Sequence, residues 1–362
     1  MGFNCGIIGL PNVGKTTIFN ALSGASALCA SYPFTTIEPN TALVAVPDER
    51  LTKIAQIVKP QKTTLAVIEF VDVAGLVAGA SRGEGLGNQF LAHIREVDAI
   101  VHVVRTFEQG DVAHLPGELN PVRDVGIVNT ELILADLELL EKRVVKAQKM
   151  LKVGSKEVKE ELELFLKAQE ILNEERPLRA QAFKPEESKG LKGAGLLTIK
   201  PILYLANAGE GESHEPLLEG LRRLAEGESA PVLTIFGKLE AELATLSVEE
   251  QEEFLKEWGI EESGLKKLIK AGYQLLGLLN FYTIVGKETR AWAIPQGSTA
   301  YEAAGKIHTD FQKGFVKAEV MAASDFIACG SEHKMREAGH IRLEGKDYRV
   351  KEGDIIHFRF TP

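Results

Sequence analysis

Apolar, β-branched runs punctuate the first 240 residues: FNCGIIGL (3–10), TALVAVP (41–47), LAVIEFVDV (65–73), AIVHVVR (99–105), PILYLAN (201–207) and PVLTIF (231–236). Several are continuously apolar, the pattern of strands covered on both faces of a sheet rather than on one. Helical periodicity lies between them, as in KTTIFNALSG (15–24) and GNQFLAHIREV (87–97). Alternation of this kind predicts a doubly wound α/β domain.

The interval between the fourth and fifth runs is too long for one crossover. Ile133, Leu137, Leu140, Val144, Ala147 and Leu151 recur at three- and four-residue spacing, which predicts an amphipathic helix over 127–153. Gly154-Ser155 breaks it, Ser155 has the chemistry of an N-cap, and Val158, Leu162, Phe165, Gln169 and Leu172 stripe a second helix before Pro177. The pair reads as an antiparallel helical hairpin inserted into the sheet domain. The polar, Gly-rich stretch KPEESKGLKGAG (184–195) reads as a returning loop. From Asn280 onward, FYTIVG, TRAWAIP, FVKAEVM, KDYRVK and DIIHFRF are short β-like runs around one helical stretch, TAYEAAGKIH (299–308), a small mixed sheet with one helix. The expected organisation is 1–125 plus 196–279 as the α/β domain, 126–195 as the hairpin, and 280–362 as the C-terminal module.

Hydrophobic residues at 44% and charged residues at 26% are the balance of a soluble globular chain. No apolar run reaches the ~20 residues of a membrane span, and MGFNCGIIGL lacks the basic start of a signal peptide. Cys5, Cys29 and Cys329 have no metal-like spacing and read as reduced core thiols of a cytoplasmic protein. The net charge of −9 is uneven: residues 280–362 carry 12 Lys+Arg against 11 Asp+Glu, so the acidity lies in the rest. A field of that sign disfavours indiscriminate nucleic-acid binding, and no DNA partner is expected. RNA contact requires a local patch, and Lys146, Lys149, Lys152, Lys156 and Lys159 cluster around the hairpin break.

Residues 9–17 read GLPNVGKTT, which fits G-x-x-x-x-G-K-[ST] with Gly9, Gly14, Lys15 and Thr16, between a predicted strand and a predicted helix. In such a loop the main chain around Asn12, Val13, Gly14 and Thr17 turns its N–H groups onto phosphates, and the helix dipole adds to them. Lys15 would reach the β- and γ-phosphates, and the Thr16 hydroxyl would ligate Mg2+. A tight Gly turn alone would explain the glycines but not Lys-Thr after them. In EFVDVAGL (69–76), Asp72 ends a buried run and Gly75 follows three later, the D-x-x-G of a nucleotide switch. Asp72 would hold Mg2+ through water, and the Gly75 N–H would sense the γ-phosphate. The segment SYPFTTIE (31–38) offers Thr35 and Thr36, either of which could complete the metal shell.

Two positions depart from a Ras-like enzyme. The residue after D-x-x-G is Leu76, which cannot orient an attacking water as glutamine does. Among nearby histidines, His93 and His102 sit in helix- and strand-like patterns and read as packing residues; His114, in the polar loop QGDVAHLPG, is the candidate catalytic group. The second departure is LYLANAGE (203–210). Where a guanine reader carries Asn-Lys-x-Asp, this chain has Asn207, Ala208 and Glu210. The longer carboxylate and the missing lysine weaken guanine selectivity without choosing adenine.

These motifs, with YPFTTIEPN (32–40), FVDVAGLVAGASRGEGLGNQFL (70–91) and IHTDFQKGF (307–315), resemble the YchF family, the Obg-like ATPases of the P-loop translation-factor class, along essentially the whole chain. The resemblance implies a mostly parallel P-loop NTPase sheet with an inserted antiparallel helical hairpin and a C-terminal β-grasp (TGS, ubiquitin-like) domain. It implies ATP favoured over GTP with both bound, slow turnover, Mg2+ at Thr16 and Thr36, a functional histidine at His114, and a main-chain contact to adenine from Ala208. It also implies ribosome or ribosomal-RNA contact through the hairpin and the TGS module. In the last base-side loop, Phe236-Gly237-Lys238 departs from the small residues of the family; Gly237 borders the base, and Lys238 could pack over a guanine. A non-hydrolysing nucleotide sensor and a GTP-preferring GTPase are the rival readings, and a P-loop kinase is the weaker one. Asn12 resembles the P-loop asparagine of potassium-responsive relatives, so hydrolysis is expected to run faster in K+ than in Na+ buffer; equal rates in the two would remove K+ from the mechanism.

Overall fold

Seven successive buried residues make β5 (Ala99–Arg105), and six make β6 (Ile202–Asn207). Strands with no exposed face occupy the middle of a sheet covered on both sides. The computed structural model describes residues 3–27, 40–73, 85–107, 119–151, 156–209 and 215–361. Its first sheet has the order β2-β4-β1-β5-β6-β7, with β1 (Asn4–Ile8), β2 (Thr41–Ala45), β4 (Val67–Asp72) and β7 (Val232–Ile235) completing it. The pairs β4–β1, β1–β5, β5–β6 and β6–β7 are all parallel. Strand β2 runs against β4, because Asp72 N–H bonds Asn40 O while Val46 N–H bonds Ala66 O. The register pairs Ile7 with Asp72, Ile8 with His102 and Arg105 with Asn207, so the carboxyl ends of the four strands lie on one side of the sheet, with β5 and β6 extending past β1 and β4. That edge is where open α/β sheets bind ligands.

Helices α1 (Lys15–Ala27), α2 (Glu49–Val58) and α3 (Gly85–Glu96) precede the insertion. It consists of α4 (Pro121–Leu151) and α5 (Lys156–Asn173), about 46 and 27 Å long at 1.5 Å per residue. Pro121 sits at the first helical position, where its missing N–H costs nothing, and Asn120 Oδ1 accepts the Arg123 N–H at 3.0 Å. The predicted stripes meet: Leu140, Val144 and Ala147 pack with Leu162, Phe165 and Leu172. Asp136, fully buried on α4, accepts Leu197 N–H, Thr198 N–H and the Thr198 hydroxyl at 2.7–2.8 Å, which ties the helix to the chain entering β6. Burial pushes that carboxyl above its ordinary pKa, against the pull of the three hydrogen bonds.

The stretch read as a returning loop is instead α6 (Pro185–Gly193). Proline at its start and the Glu187 carboxylate accepting the Lys184 N–H at 2.8 Å supply a helix start that its glycine content concealed. Helices α7 (Glu215–Gly227), α8 (Gly237–Leu243), α9 (Val248–Glu257) and α10 (Gly264–Leu275) follow. Cys5 is buried and its thiol is pushed well above the usual range by desolvation; Cys329 is half-buried, and Cys29 lies outside the described residues.

By contact grouping the chain forms two units: residues 1–43 with 69–268, and residues 44–68 with 269–362. The second unit holds a mixed sheet of order β11-β10-β12-β8-β9-β3. Its hairpin is β8 (Leu278–Val285) and β9 (Glu288–Pro295), joined through Gly286 at φ +60°. Helices α11 (Ala300–Ile307) and α12 (Thr309–Lys313) lead to β10 (Phe315–Ala322), then α13 (Ala323–Cys329), α14 (Glu332–Glu337), β11 (Arg342–Glu344) and β12 (Asp354–Phe360). Strand β12 returns parallel to β8 in the middle of the sheet, the connectivity of a β-grasp. The expected strand at 346–351 is displaced to 342–344, because Asp354 Oδ2 takes both the Lys351 N–H and the Tyr348 hydroxyl and folds that segment into a turn.

Residues 44–68, read from sequence as part of the first domain, contribute α2 and β3 (Lys62–Thr64) to this second unit, β3 pairing with β9 in parallel. Asp48 explains the attachment. Its Oδ1 caps α2 by accepting Arg50 and Leu51 N–H, while Oδ2 accepts Asn280 Nδ2 at 3.0 Å and the Tyr282 hydroxyl at 2.7 Å. Asn280 and Tyr282 are buried, so their polar atoms have no water to turn to. Asp48→Ala is therefore expected to cost the second unit about 2–4 kcal/mol, a lost cap plus stranded buried donors; a shifted urea midpoint at unchanged slope checks this.

Candidate nucleotide site

The loop after β1 is built by backbone conformations and close contacts that few residues allow. Asn12 adopts φ +63° and Gly14 φ +91°; asparagine tolerates the left-handed region and glycine occupies it freely. A Cβ on Gly9 would lie 2.8 Å from Val103 O, so only glycine lets the loop cross β5 this closely. Val13 is buried and anchors the loop, and the Ile18 N–H bonds Gly14 O at 3.1 Å to open α1. Thr16 and Thr17 are exposed at the start of that helix. The Lys15 ammonium is in direct contact with Asp72 Oδ1 at the end of β4.

Asn207 binds the loops together. Its Nδ2 donates to Val13 O at 2.9 Å, and its Oδ1 accepts the Gly237 N–H at 3.0 Å. The Asn207 carbonyl accepts both the N–H and the hydroxyl of Thr106, each at 2.9 Å. The structure thus brings Asn12, Val13, Gly14, Lys15, Thr16, Thr17, Asp72, Asn207, Ala208 and Gly237 to the carboxyl edge of the sheet. Thr36, Gly75, His114 and Glu210 lie outside the described residues, as do Thr35 and Leu76. Thr106, fully buried, was missed; nothing near it in sequence signals a partner 101 residues away.

The Ala208 N–H is engaged by Ile235 O at 2.9 Å, so its carbonyl is the main-chain group it has to offer a base. Lys238 is exposed at the start of α8, and Phe236 beside it is 38% exposed. Of the two histidines read as packing residues, His102 is buried inside β5, its ring 5.7 Å from Tyr204. Burial, with Arg179 nearby, pushes His102 down to about 3, so it stays neutral. His93 is exposed instead, because it falls on the outward side of α3 while Phe90, Leu91 and Ile94 fill the inward side.

Among the described residues no cluster of three or more His, Cys, Asp or Glu could cage a metal. A hydroxyl at Thr16 and a carboxylate at Asp72 are nevertheless the hard oxygen donors that Mg2+ takes when phosphates and water supply the remainder of its shell.

Two family models match the chain. Residues 4–137 match MMR_HSR1, described as 50S ribosome-binding GTPase, and residues 278–361 match YchF-GTPase_C, described as a protein of unknown function. The protein named Ribosome-binding ATPase YchF from Pasteurella multocida is 51% identical over 362 residues, covering all of both chains. The chain belongs to the YchF family. The YchF proteins of Escherichia coli O157:H7 and Bacillus subtilis, with the same printed name, are 50% and 48% identical, again over 100% of each chain. The solved structure of the Schizosaccharomyces pombe YchF GTPase superposes with a TM-score of 0.89 at 36% identity, covering 99% of this chain and 98% of that one. The YchF resemblance read from the motifs therefore holds along the full length, and the sheet that carries them is a P-loop NTPase sheet.

Gly14 offers a sharp test of this geometry. A Cβ there would sit 2.2 Å from Asn207 Nδ2, on a backbone at φ +91°. Gly14→Ala is expected to weaken nucleotide binding at least tenfold, about 1.4 kcal/mol or more, as read by calorimetric titration.

Proposed function

We propose that this chain is a Mg2+-dependent nucleoside triphosphatase that favours ATP, also binds GTP, and serves as a cytoplasmic switch on the ribosome. The observation that carries the reading is the convergence of the Lys15 ammonium, the open Thr16 hydroxyl and the Asp72 carboxylate at the mouth of one glycine loop. Those residues suit phosphoryl transfer, in which catalysis is positioning and charge stabilisation more than covalent chemistry. Lys15 would hold the β- and γ-phosphates, and Thr16, Thr36 and Asp72 (through water) would hold the metal. Mg2+ supplies neutralisation of the charge that builds on the phosphate oxygens. Leu76 cannot orient water, so His114 takes that role in this reading, and turnover is slow without a partner.

For the base, the Ala208 carbonyl is an acceptor that suits the N6 amine of adenine and repels O6 of guanine. Asn207 is already committed on both sides of its carboxamide, which leaves it less to spend on base reading. A GTP-preferring reading is favoured by one feature, the exposed Lys238, whose stem can cover a guanine ring. The relatives' printed names divide in the same way, ATPase for the bacterial proteins and GTPase for the yeast structure.

The ribosome would be met through the hairpin end and the C-terminal β-grasp module, in a domain division of 1–125 with 196–279, 126–195, and 280–362. Lys156 and Lys159 lie 3.7 and 3.8 Å from Glu160 and Glu163, exposed pairs that salt and a phosphate backbone readily displace. No described helix is long and apolar enough to cross a membrane.

Side-by-side titrations of ATP and GTP should show ATP bound more tightly; a GTP preference above about tenfold would overturn the base assignment. Phosphate release should be abolished by Lys15→Ala. No release above background with ribosomes present would leave a nucleotide sensor as the better reading.

A further inference from the structure

Glu240 is a buried carboxylate, 4% exposed, that neither the phosphate chemistry nor the metal uses. It sits on α8, one turn past Gly237, whose N–H Asn207 holds. That helix is weak by itself. Its seven residues fall short of the ~12–15 at which isolated helices become even marginal. Its N-cap, Phe236, makes no side-chain bond to the first N–H groups. Apolar support is thin: Leu239, Leu243 and Leu255 form a small cluster, and a cavity of about 440 Å³ bordered by Phe236 and Ile260 lies beside them. Glu240 supplies the missing support through both its main chain and its side chain. Its N–H donates to Phe236 O at 3.0 Å, the bond that opens α8. Its carboxylate accepts Gly264 N–H at 2.6 Å and Leu265 N–H at 3.2 Å at the start of α10, where the helix dipole favours negative charge. A Cβ on Gly264 would lie 2.8 Å from Glu240 Oε1 and 2.8 Å from Ile235 Cγ1, so this approach needs glycine. Residues 237 and 240 are three apart and share the buried side of α8. The helix is thus pinned at two points a turn apart, which fixes where it starts and how it is turned about its axis. That rotation sets the direction in which Lys238, between the two, leaves the helix.

We infer that Glu240 is a positioning residue for base binding: its grip on the start of α10 sets the placement of Phe236, Gly237 and Lys238 beside the purine. It acts through that loop and not by contact with the nucleotide. The inference rests on the reading that this loop borders the base, and it adds the group that holds the loop from behind. Asn207 aligns the loop from the side of the phosphates; Glu240 aligns it from the side of α10. Without the carboxylate, α8 shifts and its contacts to the base weaken, while Lys15, Thr16 and Asp72 keep theirs. Binding lost equally from the ground state and the transition state appears in KM and leaves kcat unchanged. A Glu240 that only stabilised the fold would do the opposite, lowering the active fraction and so the apparent kcat at constant KM.

The experiment measures steady-state phosphate release by the full-length chain over a range of ATP concentrations. Glu240→Ala should raise the KM for ATP about tenfold and leave kcat within about twofold of wild type. Glu240→Gln keeps one acceptor oxygen and should recover part of the loss, with KM raised about threefold. Melting curves establish that each variant is folded; if Glu240→Ala is not, Glu240→Gln decides alone. A KM equal to that of wild type, or a fall in kcat larger than the rise in KM, overturns the inference. Asn207→Ala, measured beside them, separates this failure from that of the underlying reading. If it raises KM and the Glu240 variants do not, only the role of Glu240 falls. If none of them raises KM, the reading of the base-side loop falls as well. Should wild type release no phosphate, the hydrolase reading fails by itself, and calorimetric ATP affinities of the same variants decide. An affinity about tenfold weaker in Glu240→Ala then supports the inference, and an equal one contradicts it.

Discussion

The carboxamide of Asn207 is the constraint on which the arrangement of the site depends. One end is spent on Val13 O, 194 residues away in sequence, and the other on the Gly237 N–H, 30 residues away. The same residue's carbonyl is gripped twice by Thr106. Asn207 is only 5% exposed, so none of these groups has water to fall back on, and each bond left unmade would cost about 1–3 kcal/mol. Two glycines follow from this one side chain. A Cβ on Gly14 or Gly237 would lie 2.2 or 2.9 Å from the amide, and neither loop could then approach it. In the proposed reading, the phosphate loop and the base-side loops are thus tied to each other by the chain's own groups, the preorganisation that a positioning catalyst requires.

The helical insertion is fixed to the same domain by buried polar groups as well as by its apolar stripe. Arg179 donates to Glu228 at 2.6 Å and to Asn129 at 2.6 Å, and Tyr204 donates to Glu228 at 2.7 Å. This cluster joins α4, the segment returning from the hairpin, and β6 three residues before Asn207. Removing one partner would strand a buried charge, which is far more costly than an exposed ion pair of the same length. Exposed pairs such as Lys142–Glu138 further along α4 carry no such constraint.

What could be read from the sequence was what local chemistry controls. The phosphate loop was legible because strand, glycines, Lys15, Thr16 and helix follow one another within a few residues. The central strands were legible because continuous apolar runs have few other uses, and the hairpin because its stripes span two long helices. Contacts between distant segments left no comparable trace. Nothing in KTT at 62–64 announces that it pairs with Glu288–Arg290, since two of its three side chains are exposed and its partner lies more than 220 residues on. Asp48 looks like an ordinary helix cap; its second oxygen makes it the anchor of that segment. Helix α6 was hidden by its glycines, whose unfavourable propensity is outweighed by a proline start and a reciprocal Glu187 contact. His93 was misplaced because helical periodicity establishes a helix more firmly than it establishes which side of that helix faces inward.

The central claim is that one amide aligns the phosphate and base loops. The most direct measurement is the ATP affinity of Asn207→Ala, determined by calorimetry together with its melting temperature. The account predicts a folded protein whose affinity for ATP falls tenfold or more, about 1.4 kcal/mol at the least, with the loss shared by GTP because loop alignment serves both bases. A folded Asn207→Ala protein that binds ATP as tightly as wild type would contradict it.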